Sequence, residues 1–318
     1  MKEKLEIYES NYKNEKSIHM SNNLISCTIL PELGGKIASF YHKDKKFELL
    51  FQNKKHEYMK PDMYDDFSLY DASGFDDCFP SVDEGFADFG SEKIKYPDHG
   101  EIWSGCFDYE IIGDRVKLKY ASRLLPYTYE KTIRINENTI LIDYKIKNTG
   151  SEVIDCFYTM HCLINCEKNM ILKFPSETKK VINVLDSSFL GKKGSIHPFP
   201  VTQTYEGKSF LLDHVKSPDS NGYEKYYVMD KIEDGICGAY YPSKGIEFVT
   251  KYDATKLPYL GFWVTEGGFR GDYNCALEPS NGFYDSMKSV YDNNKFLKLE
   301  PNTDFEFSIE LSLISVTD

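Results

Sequence analysis

The stretch RVKLKYASRLLPYTYEKTIRINENTILIDYKIKNTG, residues 115–150, decides the fold class. Val116, Leu118 and Tyr120 alternate with Arg115, Lys117 and Lys119, the two-residue period of a strand with one face on a core. TYEKTIRI and NTILIDYKIKNTG continue that period on either side of Asn-Glu-Asn. Similar runs extend outward in both directions: LISCTIL, KIASFY and FELLF before it, then ICGAYY, IEFVTK, LGFWVT and FEFSIELSLISV after it. Gly-Asp, Asn-Thr-Gly, Glu-Asp-Gly and Ser-Lys-Gly punctuate them, which predicts hairpin-connected antiparallel sheets. Helical spacing is confined to FYDSMKSVYDNN (283–294), enough for a turn or two. Residues 52–100 are poor in clean strands and rich in Asp, Gly and Pro, so they read as a long functional loop. No linker composition divides the chain. The expectation is one all-β domain over residues 1–318, a large antiparallel β-sandwich.

Composition agrees and narrows the partners. Tyr (24) and Phe (21) far outnumber Trp (2), and aromatic residues suit pleated, half-buried surfaces. The 50 acidic side chains exceed the 38 basic ones for a net charge of −12, which would repel a phosphate backbone, so no nucleic-acid partner is expected. Only four arginines occur (Arg115, Arg123, Arg134 and Arg270), which disfavours bidentate phosphate recognition. The start, MKEKLEIYESNYKNEK, has no apolar leader segment, and no apolar run approaches a membrane span. Eight scattered cysteines form neither a disulfide framework nor a paired C-x-x-C zinc site, and reduced thiols in a cytoplasmic protein are the expectation.

Titratable residues in apolar or constrained surroundings are the candidates for chemistry. Glu278 follows Tyr273, Cys275 and Leu277, which alternate like a buried strand face, and precedes a Pro-Ser-Asn-Gly turn. Structurally it would accept turn N–H groups or pair with a lysine; otherwise it serves a site. His161, within VIDCFYTMHCLINC (153–166), sits on a strand apolar on both faces, where a lone histidine is ordinarily a hydrogen-bonded core residue. His99 lies in YPDHGEIW between Pro97 and Gly100, flanked by Asp98 and Glu101, either able to orient the imidazole. Asp76 and Asp77 are adjacent in GFDDCFPSV, so at most one faces a site. A His-His-Glu zinc site from His99, His161 and Glu278 lacks the short H-E-x-x-H spacing, and no metal or other cofactor is expected. Walker A, G-x-G-x-x-G and G-x-S-x-G sequences are absent.

Taken in order, these segments resemble the galactose mutarotase-like superfamily, which includes the aldose 1-epimerases. LPELGGKIASFYHKDKKFELLF is similar to the family's opening hairpin, and GFDDCFPSV to its Cys-Phe-Pro segment. DHGEIW resembles the first His-Gly motif, and KNTGSEVIDCFYTMHC the turn and strand that deliver the second histidine. NCALEPSNG looks like the strand end carrying the catalytic glutamate. The resemblance spans nearly the whole chain from Leu24 and implies a supersandwich with a cleft on one sheet. It implies that Glu278 takes the C1 hydroxyl proton of a sugar, His161 protonates the ring oxygen and His99 stabilises the opening ring. Asp77, Phe79, Glu101, Trp103 and Arg270 become candidate substrate contacts, with Trp263 a further ring for stacking. Departures concern the substrate: Cys162, Leu163 and Ile164 stand where many members have an aromatic pair, and Asp76 and Asp77 where many have an Arg or Asn. The expected partner is a small carbohydrate, bound by a monomer or homodimer. A sugar-binding protein without turnover, or a lyase or glycoside hydrolase pairing Glu278 with Asp77 or Glu101, are the alternatives.

Overall fold

The computed structural model describes residues 5–52, 54–70 and 72–316. Residues 115–150 form three adjacent strands of an eight-stranded sheet. Its order is Ile171–Lys173, Ile236–Tyr241, Ile246–Tyr252, Asp304–Ser315, Thr139–Asn148, Tyr127–Asn136, Arg115–Ala121 and Asp108–Ile112. The ladders run antiparallel with Ile133 opposite Ile142 and Tyr129 opposite Ile146, so the apolar residues read from the sequence share one face.

That face packs on a thirteen-stranded sheet. Its central strands are β1 (Lys36–His42), β2 (Phe75–Cys78), β3 (Thr159–Cys162), β4 (Gly222–Val228), β5 (Tyr259–Glu266) and β6 (Tyr273–Ser280). In space they run β1-β2-β3-β6-β5-β4. Alternation divides each strand between two faces. Met160 and Cys162, Cys275 and Leu277, Phe262 and Val264, Tyr226 and Val228 point into the core shared with Leu118, Ile133, Ile142 and Ile309. Residues of the opposite phase, His161, Glu278, Trp263 and Lys225 among them, line a cleft. The resulting two-sheet all-β architecture is the expected one.

The segment 52–100 departs from the long loop the sequence predicts. It holds a helical turn (Phe67–Tyr70), strand β2 and a hairpin pairing Gly85–Phe89 with Glu92–Tyr96. Only Ala87 is buried in the first hairpin strand, so no apolar alternation marks it. The short helix expected near the C-terminus is Met287–Asn293, begun by Ser286, whose hydroxyl accepts from Ser289 N–H, and closed by left-handed Asn294. All eight cysteines are free thiols. Among the described residues no helix is long and apolar enough to cross a membrane.

Candidate active site

Four strands and one turn converge on a cleft of about 590 Å³. Glu278 is the sixth residue of β6, out of phase with Cys275 and Leu277, and so projects from the opposite face. Next to it on β5 stands Gly261, where a Cβ would lie 2.9 Å from Glu278 Oε2 and 3.0 Å from the Tyr227 ring. Glycine there leaves room for the carboxylate. β3 supplies His161, and the turn before Ile102 supplies His99. His99 itself has φ +57° and is followed by Gly100 at φ +75°, where any Cβ would overlap the Phe79 carbonyl. The His99 N–H donates to the Val82 carbonyl at 2.5 Å, anchoring this left-handed corner.

All three expected catalytic side chains line the cleft together. The imidazoles of His99 and His161 meet edge to face, centroids 5.0 Å apart. Phe67 stacks on His99 at 4.0 Å and touches His161 edge-on at 5.2 Å, which fixes both rings. Asp98 accepts from His99 Nδ1 at 2.8 Å and from Phe67 N–H at 2.9 Å. Burial opposes the charge on Asp98, but the His99 hydrogen bond and charge outweigh it and hold its carboxyl below the ordinary range. With Nδ1 so engaged, His99 has Nε2 left for a ligand.

Glu278 is 1% exposed, and burial raises its carboxyl to about 7, against the pull of Lys225. The Lys225 ammonium lies 3.7 Å from Glu278 Oε2 and 3.0 Å from Asp285 Oδ2. The first distance is too long for a hydrogen bond, so Lys225 acts on Glu278 as a charge and Oε2 keeps no partner. Burial lowers Lys225 while Asp285 and Glu278 raise it, and the anions prevail, keeping it protonated. Asp285 also accepts from Tyr227 Oη at 2.7 Å. His161 is pushed well below its ordinary range by burial first, then by the charges of His99, Lys225 and Lys36, so its imidazole is neutral at pH 7. Its Nδ1 is buried without a partner. Unsatisfied buried polar atoms are destabilising by about 1–3 kcal/mol each, and a bound polar ligand would relieve them.

The expected substrate contacts divide. Asp77 points into the inter-sheet core, where its carboxylate meets Lys131 Nζ at 2.8 Å and the hydroxyls of Tyr144 and Tyr158. Register decides this: His161 pairs with Asp76 and Met160 with Asp77, so Asp76 shares the His161 face. There Asp76 holds Lys36 at 2.6 Å. Glu101 also turns inward, satisfied by Tyr120, Ser122, Tyr127 and the Arg123 N–H. Phe79 packs against Tyr127 and Tyr129 in the core. None of these three lines the cleft. Trp103 lies behind it, edge-on to Phe67, its Nε1 donating to the Asp98 carbonyl. Arg270 sits at the rim, its guanidinium on the Ser68 carbonyl and 3.7 Å from Asp272. Lys225, Asp285, Asn274 and Phe67 line the cleft and were not read from the sequence. Among the described residues no group of three or more His, Cys, Asp or Glu side chains is placed to hold a metal ion.

No protein-family model matches the sequence, and no curated protein does either. Solved structures match over almost the whole chain. The Slr1438 protein of Synechocystis sp. PCC 6803 is 13% identical, with 97% of this chain and 99% of that one covered at a TM-score of 0.72. A galactose mutarotase-like protein from Lactobacillus casei is 14% identical, covering 94% and 100% at 0.69. A galactose mutarotase related enzyme from Lactobacillus acidophilus is 15% identical, covering 95% and 98% at 0.67. The chain therefore has the galactose mutarotase-like fold.

Proposed function

We propose that this protein is an aldose 1-epimerase-like isomerase, one domain that interconverts the α and β anomers of a sugar. One observation carries the reading. His161 Nδ1 and Glu278 Oε2 are buried polar atoms without hydrogen-bond partners, and both belong to side chains lining the cleft that His99 shares.

Anomer exchange needs a base at the C1 hydroxyl and a proton donor at the ring oxygen. Glu278, raised by burial to about 7, is a base matched to neutral pH. As its carboxylate takes the C1 hydroxyl proton, the electron pair forms the aldehyde C=O and the bond from C1 to the ring oxygen breaks. His161, neutral because it is buried, offers an imidazole N–H to that oxygen. His99, oriented by Asp98, hydrogen-bonds beside it and stabilises the negative charge that develops. After rotation about C1–C2 the ring oxygen, held by these two hydrogen-bond donors, attacks the other face of the carbonyl, and Glu278 returns its proton to the C1 oxygen, leaving the enzyme unchanged.

A hydrolase would need a second carboxylate across the sugar. Asp77 and Glu101, the partners the sequence suggested, are committed to the core, and Asp285 to Lys225 and Tyr227, which leaves a hydrolase to draw on another cleft carboxylate such as Asp83. The test is anomer exchange followed by NMR on a panel of aldoses with the spontaneous rate subtracted. The expected result is acceleration for at least one sugar and its loss in Glu278→Gln. Sugar binding with no acceleration across the panel would instead identify a non-catalytic carbohydrate-binding protein.

A further inference from the structure

The cleft is larger than one sugar requires. A hexopyranose has twelve heavy atoms, and at interior packing density each occupies roughly 15 Å³, so one ring needs on the order of 180 Å³. The cleft offers about 590 Å³. Its floor extends in one direction from the histidine pair, and strand register describes it row by row. Tyr227, Gly261 and Glu278 form the first row, Lys225, Trp263 and Ala276 the second, Tyr223, Thr265 and Asn274 the third. From Glu278 to Asn274 is four residues along β6, about 13 Å.

The far rows have their own binding chemistry. Trp263 is half-buried, with Phe269 edge-on to it at 5.6 Å and Tyr223 tilted beside it at 6.1 Å. An indole braced in this way is a platform for the C–H face of a pyranose. Beyond it, Asn274 is 2% exposed and its Oδ1 has no hydrogen-bond partner. Among the described residues lining the cleft, three side-chain atoms are buried and unpartnered: His161 Nδ1 and Glu278 Oε2 at one end, Asn274 Oδ1 at the other. The carbonyl oxygen of Asn274 can accept a hydrogen bond from a hydroxyl. Asp272 at this end pairs with Lys54 at 2.6 Å and faces Arg270, while Lys193 is a further cation lining the cleft. An aromatic plane and a neutral amide suit an uncharged, hydroxylated ring better than a phosphate.

We propose that the cleft holds two sugar rings: a reducing-end residue at Glu278 and the histidines, and a second glycosyl unit stacked on Trp263 with a hydroxyl on Asn274. The substrate class is thus a neutral reducing disaccharide, or the reducing end of a longer glycan. Two linked pyranoses span roughly 10 Å from their bond lengths, which fits the floor. Which ring sits at Glu278 rests on the isomerase reading; the two-ring capacity does not.

Calorimetric titration of maltose, cellobiose and lactose against glucose and galactose tests the capacity, and NMR anomer exchange on the same sugars tests the turnover. The expected result is at least one disaccharide bound tenfold or more tightly than its own reducing-end monosaccharide, with that ratio falling below about threefold in Trp263→Phe and in Asn274→Ala. Both variants are checked for unchanged circular dichroism. Disaccharides bound no better than monosaccharides, or a ratio unmoved in both variants, overturns the proposal even if anomers exchange. Tight disaccharide binding without exchange upholds it and removes the isomerase reading.

Discussion

Replacing Lys225 by Met removes the cation that opposes the effect of burial on Glu278. At 3.7 Å, with an effective dielectric of about 20, the attraction is roughly 4.5 kcal/mol, equivalent to about three pH units on the carboxyl. The Lys225 side chain is 13% exposed, and cleft water that doubled the dielectric would halve the effect, to about 1.5 pH units. Removing the ammonium also unmasks Asp285, whose charge pushes Glu278 in the same direction. The carboxyl therefore moves upward from about 7, by at least about 1.5 pH units.

The consequence for turnover has a definite sign. A general base works as the carboxylate, so activity falls tenfold per pH unit below its pKa. With Glu278 as the proposed base, the acid limb of the native protein is expected to bend near pH 7. In Lys225→Met it moves to alkaline pH, activity at pH 7 falls on the order of 10- to 10³-fold, and the rate recovers above the new bend. A merely damaged fold would lower the rate equally at every pH. Lys225→Arg keeps the charge and holds the limb near its native position. The assay is the enzymatic part of anomer exchange across pH, beside a titration of the Glu278 carboxyl by carbon NMR, which reads the same midpoint without turnover. A midpoint unchanged or lowered in Lys225→Met refutes the electrostatic reasoning.

Two further substitutions probe the scaffold. Asp77→Ala leaves the Lys131 ammonium, 0% exposed, without its carboxylate and should be destabilising by about 3–5 kcal/mol in urea unfolding, whereas the Asp77→Leu, Lys131→Met pair recovers most of that loss. Gly261→Ala puts a methyl 2.9 Å from Glu278 Oε2 and against the Tyr227 ring, so it should lower stability by about 1–3 kcal/mol and reduce anomer exchange, both measured on the same preparation.

The sequence shows most of the fold because period-two alternation is local: residues 115–150 declare their strands, and the phase of Cys275 and Leu277 already sends Glu278 to the other face. What it hides depends on register between distant segments. Asp76 and Asp77 are equivalent within one chain segment, and only the pairing of β2 with β3 puts Asp76 on the His161 face and Asp77 against Lys131. Glu101 lies two residues from His99, yet left-handed Gly100 reverses the chain and sends it to Tyr120 and Tyr127, so closeness in sequence misleads there. Lys225, in YEKYYV, reads as an ordinary solvent-facing strand lysine. Its burial comes from lying opposite Trp263 on β5 and within reach of Asp285. The histidines and Glu278 stand out because each is a titratable group in an apolar or constrained context. Lys225 and Asn274 take their surroundings from neighbours that only the assembled sheet supplies, so the groups proposed to tune the base and extend the cleft emerge with the register and not before it.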